Sequence, residues 1–125
     1  MSSVENKALI TRYLEAISGK PKPESVLRLF IAEQQLIEHI LVAEAAFPLY
    51  ELVADEILAD GDLVSLRGWV RGKHLGTLME ISPSGADVNY MLFITYKIEG
   101  GKIVDHWMLG DTMTLMRQIG AVPAG

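Results

Sequence analysis

The hydrophobic pattern of this chain changes its period once, close to residue 50. Before that point, apolar residues recur every three or four positions, which is typical of amphipathic helices. After it, apolar and polar residues alternate, which is typical of strands with one buried face. We therefore predict helices over residues 5–18, 24–30 and 33–46, strands over 50–58, 63–71, 88–98 and 103–110, and a closing helix over 112–119.

The order of these segments predicts the fold class. Turn sequences separate the strands, and residues 75–81 are a candidate extension of the sheet. Helices followed by tightly connected strands indicate an α+β domain in which N-terminal helices cover one face of an antiparallel sheet. Strands of this length must twist and curl, and a curled sheet that is closed by helices leaves a cone-shaped apolar cavity.

Composition limits the classes of function open to the chain. Its 125 residues are expected to form one domain, residues 1–125. The absence of cysteine excludes disulfides and thiolate chemistry, and it fits a cytoplasmic protein. The net charge is −5 without a basic cluster, which argues against a nucleic-acid partner, and no apolar run could span a membrane. Half of the residues are hydrophobic, which predicts a lined pocket, a buried interface or both.

The segment that leads into the closing helix contains the sharpest candidate for chemistry, Asp111. If residues 103–111 are extended, Asp111 shares one face with Trp107 and other apolar residues. A carboxyl group at the end of an apolar cavity would have a raised pKa and could carry a proton to and from a substrate. Alternatively, Asp111 caps the closing helix. Trp107 is either a wall of the pocket or part of the core.

Other polar residues allow two interpretations each. His106 is expected on the opposite strand face, with Met108, in a dimer interface. His39 lies on the helix face of Leu36 and could face the pocket or be half exposed. His74 fits a cavity mouth or a loop. Arg67 interrupts an apolar strand and either pairs with a ligand or faces water. Four tyrosines offer hydroxyls that the sequence alone cannot rank: Tyr13, Tyr50, Tyr90 and Tyr96.

Several short motifs occur in an order that resembles a known family. The chain contains Asp60-Gly-Asp-Leu-Val-Ser-Leu-Arg67, Arg71-Gly-Lys-His-Leu-Gly76, Ile81-Ser-Pro-Ser-Gly85, Gly101-Lys-Ile-Val-Asp-His-Trp107, Asp111 and Leu115-Met-Arg-Gln-Ile-Gly120. Taken together, this ordered set resembles the SnoaL-like polyketide cyclase (ester cyclase) family of the nuclear-transport-factor-2-like superfamily. The resemblance covers nearly the whole chain.

The resemblance implies an α+β cone that dimerises through the outer face of its sheet and works without metal or cofactor. It also implies that Asp111 acts as the acid/base in an intramolecular aldol-type ring closure. We therefore expect a cyclase- or isomerase-type enzyme acting on a small, apolar, carbonyl-bearing molecule. Five residues are expected to bind this substrate: Trp107, His39, Arg67, His74 and Tyr90. The alternative is a non-catalytic dimer of the same fold that binds a small apolar ligand.

Overall fold

A computed structural model describes residues 2–122 and has the predicted α+β architecture. The described part contains helices followed by a single antiparallel sheet and a last short helix. The strands neighbour one another in chain order. The elements are α1 (Ser3–Ile17), α2 (Glu24–Leu27), α3 (Gln34–Ala46), β1 (Glu51–Asp60), β2 (Leu63–Lys73), β3 (Asp87–Glu99), β4 (Lys102–Gly110) and α4 (Thr112–Gln118).

Helix α1 begins at a capping box and is tied to the turn between β1 and β2. The Ser2 hydroxyl accepts the Glu5 amide, and the Glu5 carboxylate accepts the Ser2 amide, so amide groups at the helix start are satisfied. Asn6 donates its side-chain amide to the Gly61 carbonyl at 2.8 Å. The buried stripe follows helical spacing and contains Leu9, Ile10, Tyr13, Leu14 and Ile17.

The sheet presents one face to the helices and leaves the other open. Along β2 and β3, every second residue points to the core, as the period of a strand requires. The core-facing residues of β3 are Val88, Leu92, Ile94, Tyr96 and Ile98. The opposite face is named the outer face below, and it carries residues such as Phe93, which is half exposed.

A β-bulge in β4 changes which residues of that strand face the core. Ile98 pairs with Ile103, but Lys97 pairs with Asp105, so Val104 is an extra residue without a partner on β3. Ile103 is buried. Beyond the bulge His106 lies opposite the buried Tyr96, on the core side. The prediction of one continuous face from residue 103 to residue 111 is therefore wrong.

The segment after β2 is not a further strand, which corrects the candidate extension at residues 75–81. Leu78 and Ile81 of this segment form an isolated β-bridge with each other. The backbone instead turns across the end of α3, where the amides of Leu75 and Gly76 both donate to the Ala46 carbonyl. A side chain at Gly76 would overlap the Ala45 carbonyl oxygen, so this close approach requires glycine.

The helices within residues 2–122 are too short or too polar to cross a membrane.

Candidate active site

An apolar cavity lies between the core face of the sheet and helices α1 and α3. Its volume is about 290 Å³. A cavity of about 150 Å³ is enough for benzene, so this one has room for a two-ring molecule. Most of its wall is aliphatic or aromatic, and no Asp, Glu, Lys or Arg of the described chain lines it. The wall includes Leu36, Ile40, Leu52, Val70, Leu92, Ile94 and Leu115.

All four tyrosines of the chain line this cavity. Tyr13 comes from α1, Tyr50 precedes β1, and Tyr90 and Tyr96 come from β3. Tyr13, Tyr50 and Tyr96 are almost fully buried. Within residues 2–122 none of the four hydroxyls forms a hydrogen bond with another protein group, although buried tyrosines usually have a partner. The polar character of the cavity therefore comes mainly from unpaired phenol groups.

These phenols are protonated at neutral pH, and burial moves their titration further into the alkaline range. Loss of hydration raises the pKa of Tyr90 to about 12 and raises the pKa values of Tyr50 and Tyr96 further. For Tyr13, burial is again the largest cause of a raised pKa, followed by the neighbouring Tyr96 and Tyr50. Each hydroxyl is thus available as a hydrogen-bond donor.

His39 stands at the mouth of the cavity. It lines the opening with Val42 and Met79, both of which are largely exposed. Partial desolvation, with a smaller effect from nearby His106, lowers the pKa of His39 below its usual value of 6.5. His39 is exposed to solvent at this opening, and an imidazole whose pKa does not exceed 6.5 is mostly neutral at pH 7 and able to accept a proton.

His106 is paired with the start of α3. Its Nδ1 donates to Oε1 of Glu33 at 2.6 Å, and its backbone amide donates to the Asp105 carboxylate. The ligand-type atoms of Glu33, Asp105 and His106 lie within 4.8 Å of one another, which is the spacing of a potential metal site. In this structure the nearest pair of these atoms, Nδ1 of His106 and Oε1 of Glu33, is joined by the hydrogen bond.

Asp111 does not line the cavity, which corrects its predicted position. It is exposed, and its carboxylate accepts the Thr114 amide at 3.1 Å and the Thr114 hydroxyl at 2.6 Å. These hydrogen bonds lower the pKa of Asp111, where a desolvated pocket acid would have a raised one. The alternative interpretation of Asp111 as the cap of α4 describes its geometry.

Trp107 and Arg67 are also placed differently from the expectation. Both lie on the outer face, opposite Thr95 and Phe93 of β3 respectively, and neither lines the cavity. Trp107 is 54% exposed, so it is neither a cavity wall nor core. The expectation for Trp107 failed because the bulge at Val104 puts Asp105 and the alternate residues after it on the face opposite to that of Ile103. Arg67 is exposed, which agrees with the alternative that it faces water.

His74 is fully buried beside the cavity wall without lining the cavity. Its Nδ1 accepts the Ser84 amide at 3.1 Å and lies 2.9 Å from the Ser84 hydroxyl. Its ring packs against Phe47, so it holds the loop that follows β2. Among the five predicted substrate-binding residues, His39 and Tyr90 line the cavity, and Trp107, Arg67 and His74 do not.

The expected dimer contact through His106 and Met108 is corrected by the same bulge. Met108 lines the cavity, and His106 points to the same side. The exposed apolar residues on the outer face of β3 and β4 are instead Phe93, Trp107 and Leu109.

The clustering of the four tyrosines was not predicted from the sequence. A signal was present: Tyr13 lies in the apolar stripe of α1, and Tyr96 has the same strand parity as Leu92 and Ile94. Both patterns predict that the rings are buried. Their meeting in one cavity depends on how α1 crosses the sheet, which local patterns do not encode.

Solved structures of similar shape support the fold. AclR from Streptomyces galilaeus, assigned as a hydroxylase, has a TM-score of 0.85 at 24% identity, and the match covers 99% of this chain and 86% of AclR. A protein from Jannaschia sp. CCS1 that is assigned as a SnoaL-like polyketide cyclase has a TM-score of 0.80 at 21% identity. The match covers 97% of this chain and 95% of the Jannaschia protein. IdmH from Streptomyces antibioticus, assigned as a polyketide cyclase, has a TM-score of 0.72 at 24% identity, and the match covers 92% of this chain and 98% of IdmH. No curated protein sequence matched the chain.

The family model described as SnoaL-like polyketide cyclase matches residues 33–119. This span begins just before α3 and ends just after α4, so it includes the whole sheet. The family and the fold predicted from the ordered motifs are thereby confirmed. The protein belongs to the SnoaL-like polyketide cyclase family and has the nuclear-transport-factor-2-like fold.

Proposed function

We propose that the protein binds a neutral, largely apolar, carbonyl-bearing molecule in the cavity and catalyses a cyclase- or isomerase-type proton transfer on it. The observation that carries this proposal is an apolar cavity of about 290 Å³ whose polar groups include unpaired phenols and a neutral histidine. Apolar walls with a few convergent polar groups are typical of small-molecule sites. Membership of a family named for polyketide cyclases agrees with a substrate that contains carbonyl groups.

We assign the role of general base to His39, because it lines the cavity and, within the described residues, no carboxylate or amine shares the wall with it. It would take a proton from a carbon next to the carbonyl group and return that proton to the product. Asp111, the acid/base that the family resemblance implies, would have to release Thr114 and turn towards the cavity first. The two assignments are therefore separable by mutation.

Hydrogen–deuterium exchange of β-tetralone, a two-ring ketone, tests the activity without knowledge of the natural substrate. In D₂O, a base that removes a proton beside the carbonyl returns a deuteron, and proton NMR records the lost signal. We expect the protein to accelerate this exchange above the buffer rate. His39→Gln should remove the acceleration, and Asp111→Asn should keep it. The reverse pattern would assign the reaction to Asp111 and refute His39.

A non-catalytic ligand-binding protein of the same fold is the second candidate function. It is favoured by the absence of any carboxylate from the cavity wall within the described residues. Binding of β-tetralone by calorimetry without accelerated exchange would support this alternative. Absence of binding would contradict both candidates.

We also propose that the outer face pairs with a second copy of the chain. The expectation of a homodimer came from the family resemblance, and the exposed Phe93, Trp107 and Leu109 supply a contiguous apolar surface on neighbouring strands. Surfaces of this kind on soluble proteins commonly mark interfaces.

A further inference from the structure

The buried end of the cavity is formed by phenol groups that are fixed in place. The centre of the Tyr13 ring lies 5.8 Å from the centre of the Phe30 ring and 6.0 Å from that of Tyr96, which it meets edge-on. The ring of Tyr50 is covered by the ammonium group of Lys22, at 4.1 Å from its centre. Because these rings cannot swing to new partners without disturbing the core, their hydroxyls are pre-organised.

These hydroxyls lack protein partners but have open space in front of them. Among residues 2–122, two buried side-chain atoms have neither a hydrogen-bond partner nor access to a solvent-sized space: Asn6 Oδ1 and His74 Nε2. The tyrosine oxygens are not in this group, so each of them borders open space. A phenol that is removed from bulk water without a hydrogen bond costs free energy. The space before these hydroxyls is therefore suited to an oxygen atom of a bound molecule or to the water it displaces.

The chemistry of the wall selects a particular kind of oxygen. Protonated phenols donate hydrogen bonds, and no cationic side chain of the described chain lines the cavity to hold a full negative charge. A carbonyl oxygen satisfies several donors at once through its two lone pairs. A carboxylate would lose its hydration without gaining an ion pair.

We infer that Tyr13, Tyr50 and Tyr96 form a carbonyl-binding subsite in the buried part of the cavity, which orients the ligand with its carbonyl oxygen away from the mouth and the carbon beside the carbonyl group on the side of His39. This inference rests on the proposed function, and it adds which residues hold the carbonyl group. The same donors stabilise the negative charge that grows on this oxygen when His39 removes a proton from the neighbouring carbon. The three tyrosines are positioning residues, and none of them takes the proton.

The test compares two ligands of nearly identical shape. β-Tetralone carries the carbonyl oxygen, and its exocyclic methylene analogue carries a CH₂ group in the same place. The wild-type protein should bind the ketone more tightly than the analogue in calorimetry. Tyr13→Phe and Tyr96→Phe should each weaken ketone binding roughly tenfold, the equivalent of one lost hydrogen bond, and leave binding of the analogue unchanged.

Infrared spectroscopy supplies a readout that a purely structural role would not change. Hydrogen bonds to the bound ketone lower its carbonyl stretching frequency. In each Tyr→Phe variant this frequency should be higher than in the wild type, because one hydrogen bond is lost. Equal affinity of the wild type for both ligands would overturn the subsite. Equal losses of affinity for the ketone and its analogue in the Tyr→Phe variants would also overturn the subsite, because they would indicate a general packing defect. Failure of both ligands to bind the wild type would refute the proposed function itself.

Discussion

Asp111 shows how one side chain can fit two interpretations until its surroundings are known. Its sequence context allows a pocket acid or a helix cap, and the Thr114 amide and hydroxyl bind the carboxylate in the second arrangement. Asparagine is as good a helix cap as aspartate, and alanine is a poor one. Asp111→Asn should therefore melt close to the wild type, and Asp111→Ala should melt at a lower temperature. Circular dichroism monitors the thermal unfolding. Equal melting temperatures of all three proteins would contradict the capping role.

The same carboxylate predicts a dependence of stability on pH. Hydrogen bonds from Thr114 lower the folded-state pKa of Asp111 below the value of 3.8 expected in the unfolded chain. A lowered pKa means that the stabilisation is present above pH 3.8 and is lost as the pH falls through the folded-state pKa. The advantage of the wild type over Asp111→Ala in urea unfolding should therefore shrink in acid, as the carboxylate becomes protonated. A difference that is constant from neutral to acidic pH would refute this assignment.

Between elements, a buried ion pair holds the end of α3 against the start of β1 and thereby positions Tyr50. The Lys22 ammonium group, which is fully buried, donates to Glu44 at 2.7 Å and to the Tyr50 carbonyl at 3.0 Å. Glu44→Gln leaves this charge without its partner and should cost on the order of 3 kcal/mol of unfolding free energy. Lys22→Met, which removes the charge itself, should lower the unfolding free energy by less than Glu44→Gln does. Urea titration of both variants and the wild type measures the two differences.

The element scale is also where prediction from sequence was most and least successful. Helices and strands were predicted to within a few residues because hydrophobic period is a local property of the chain. The bulge at Val104 was not predicted, since it depends on how β4 pairs with β3. One inserted residue reverses strand parity, and this moved Trp107 to the outer face and His106 to the core side.

For the whole molecule, the four tyrosines that line the cavity predict unfolding in alkali. Their pKa values are raised in the folded state, in Tyr90 to about 12, against about 10 in the unfolded chain. Their contribution to stability is complete below pH 10 and is lost as the pH rises through the folded-state values. We expect phenolate absorbance to appear together with loss of the circular dichroism signal. Full phenolate absorbance from a folded protein would contradict the burial of these side chains.

The outer face predicts the state of association of the whole molecule. If Phe93, Trp107 and Leu109 meet a second copy, light scattering at micromolar concentration should report a dimer. Leu109→Glu places a charge in the middle of the interface and should yield monomers that still fold. His106→Gln serves as a control because its side chain points away from this face, and it should remain dimeric. A wild-type monomer would refute the proposal.

The amino-acid sequence was sufficient to predict the α+β class, the limits of most elements and, through ordered motifs, the family. These features follow from local periodicity, turn chemistry and the order of residues along the chain. Three features became visible only in the folded chain: the side of the sheet that each residue of β4 faces, the capping of α4 by Asp111, and the position of four tyrosines around one cavity. The physical reason is that strand register, helix crossing and the position of a bulge are set by contacts between distant segments.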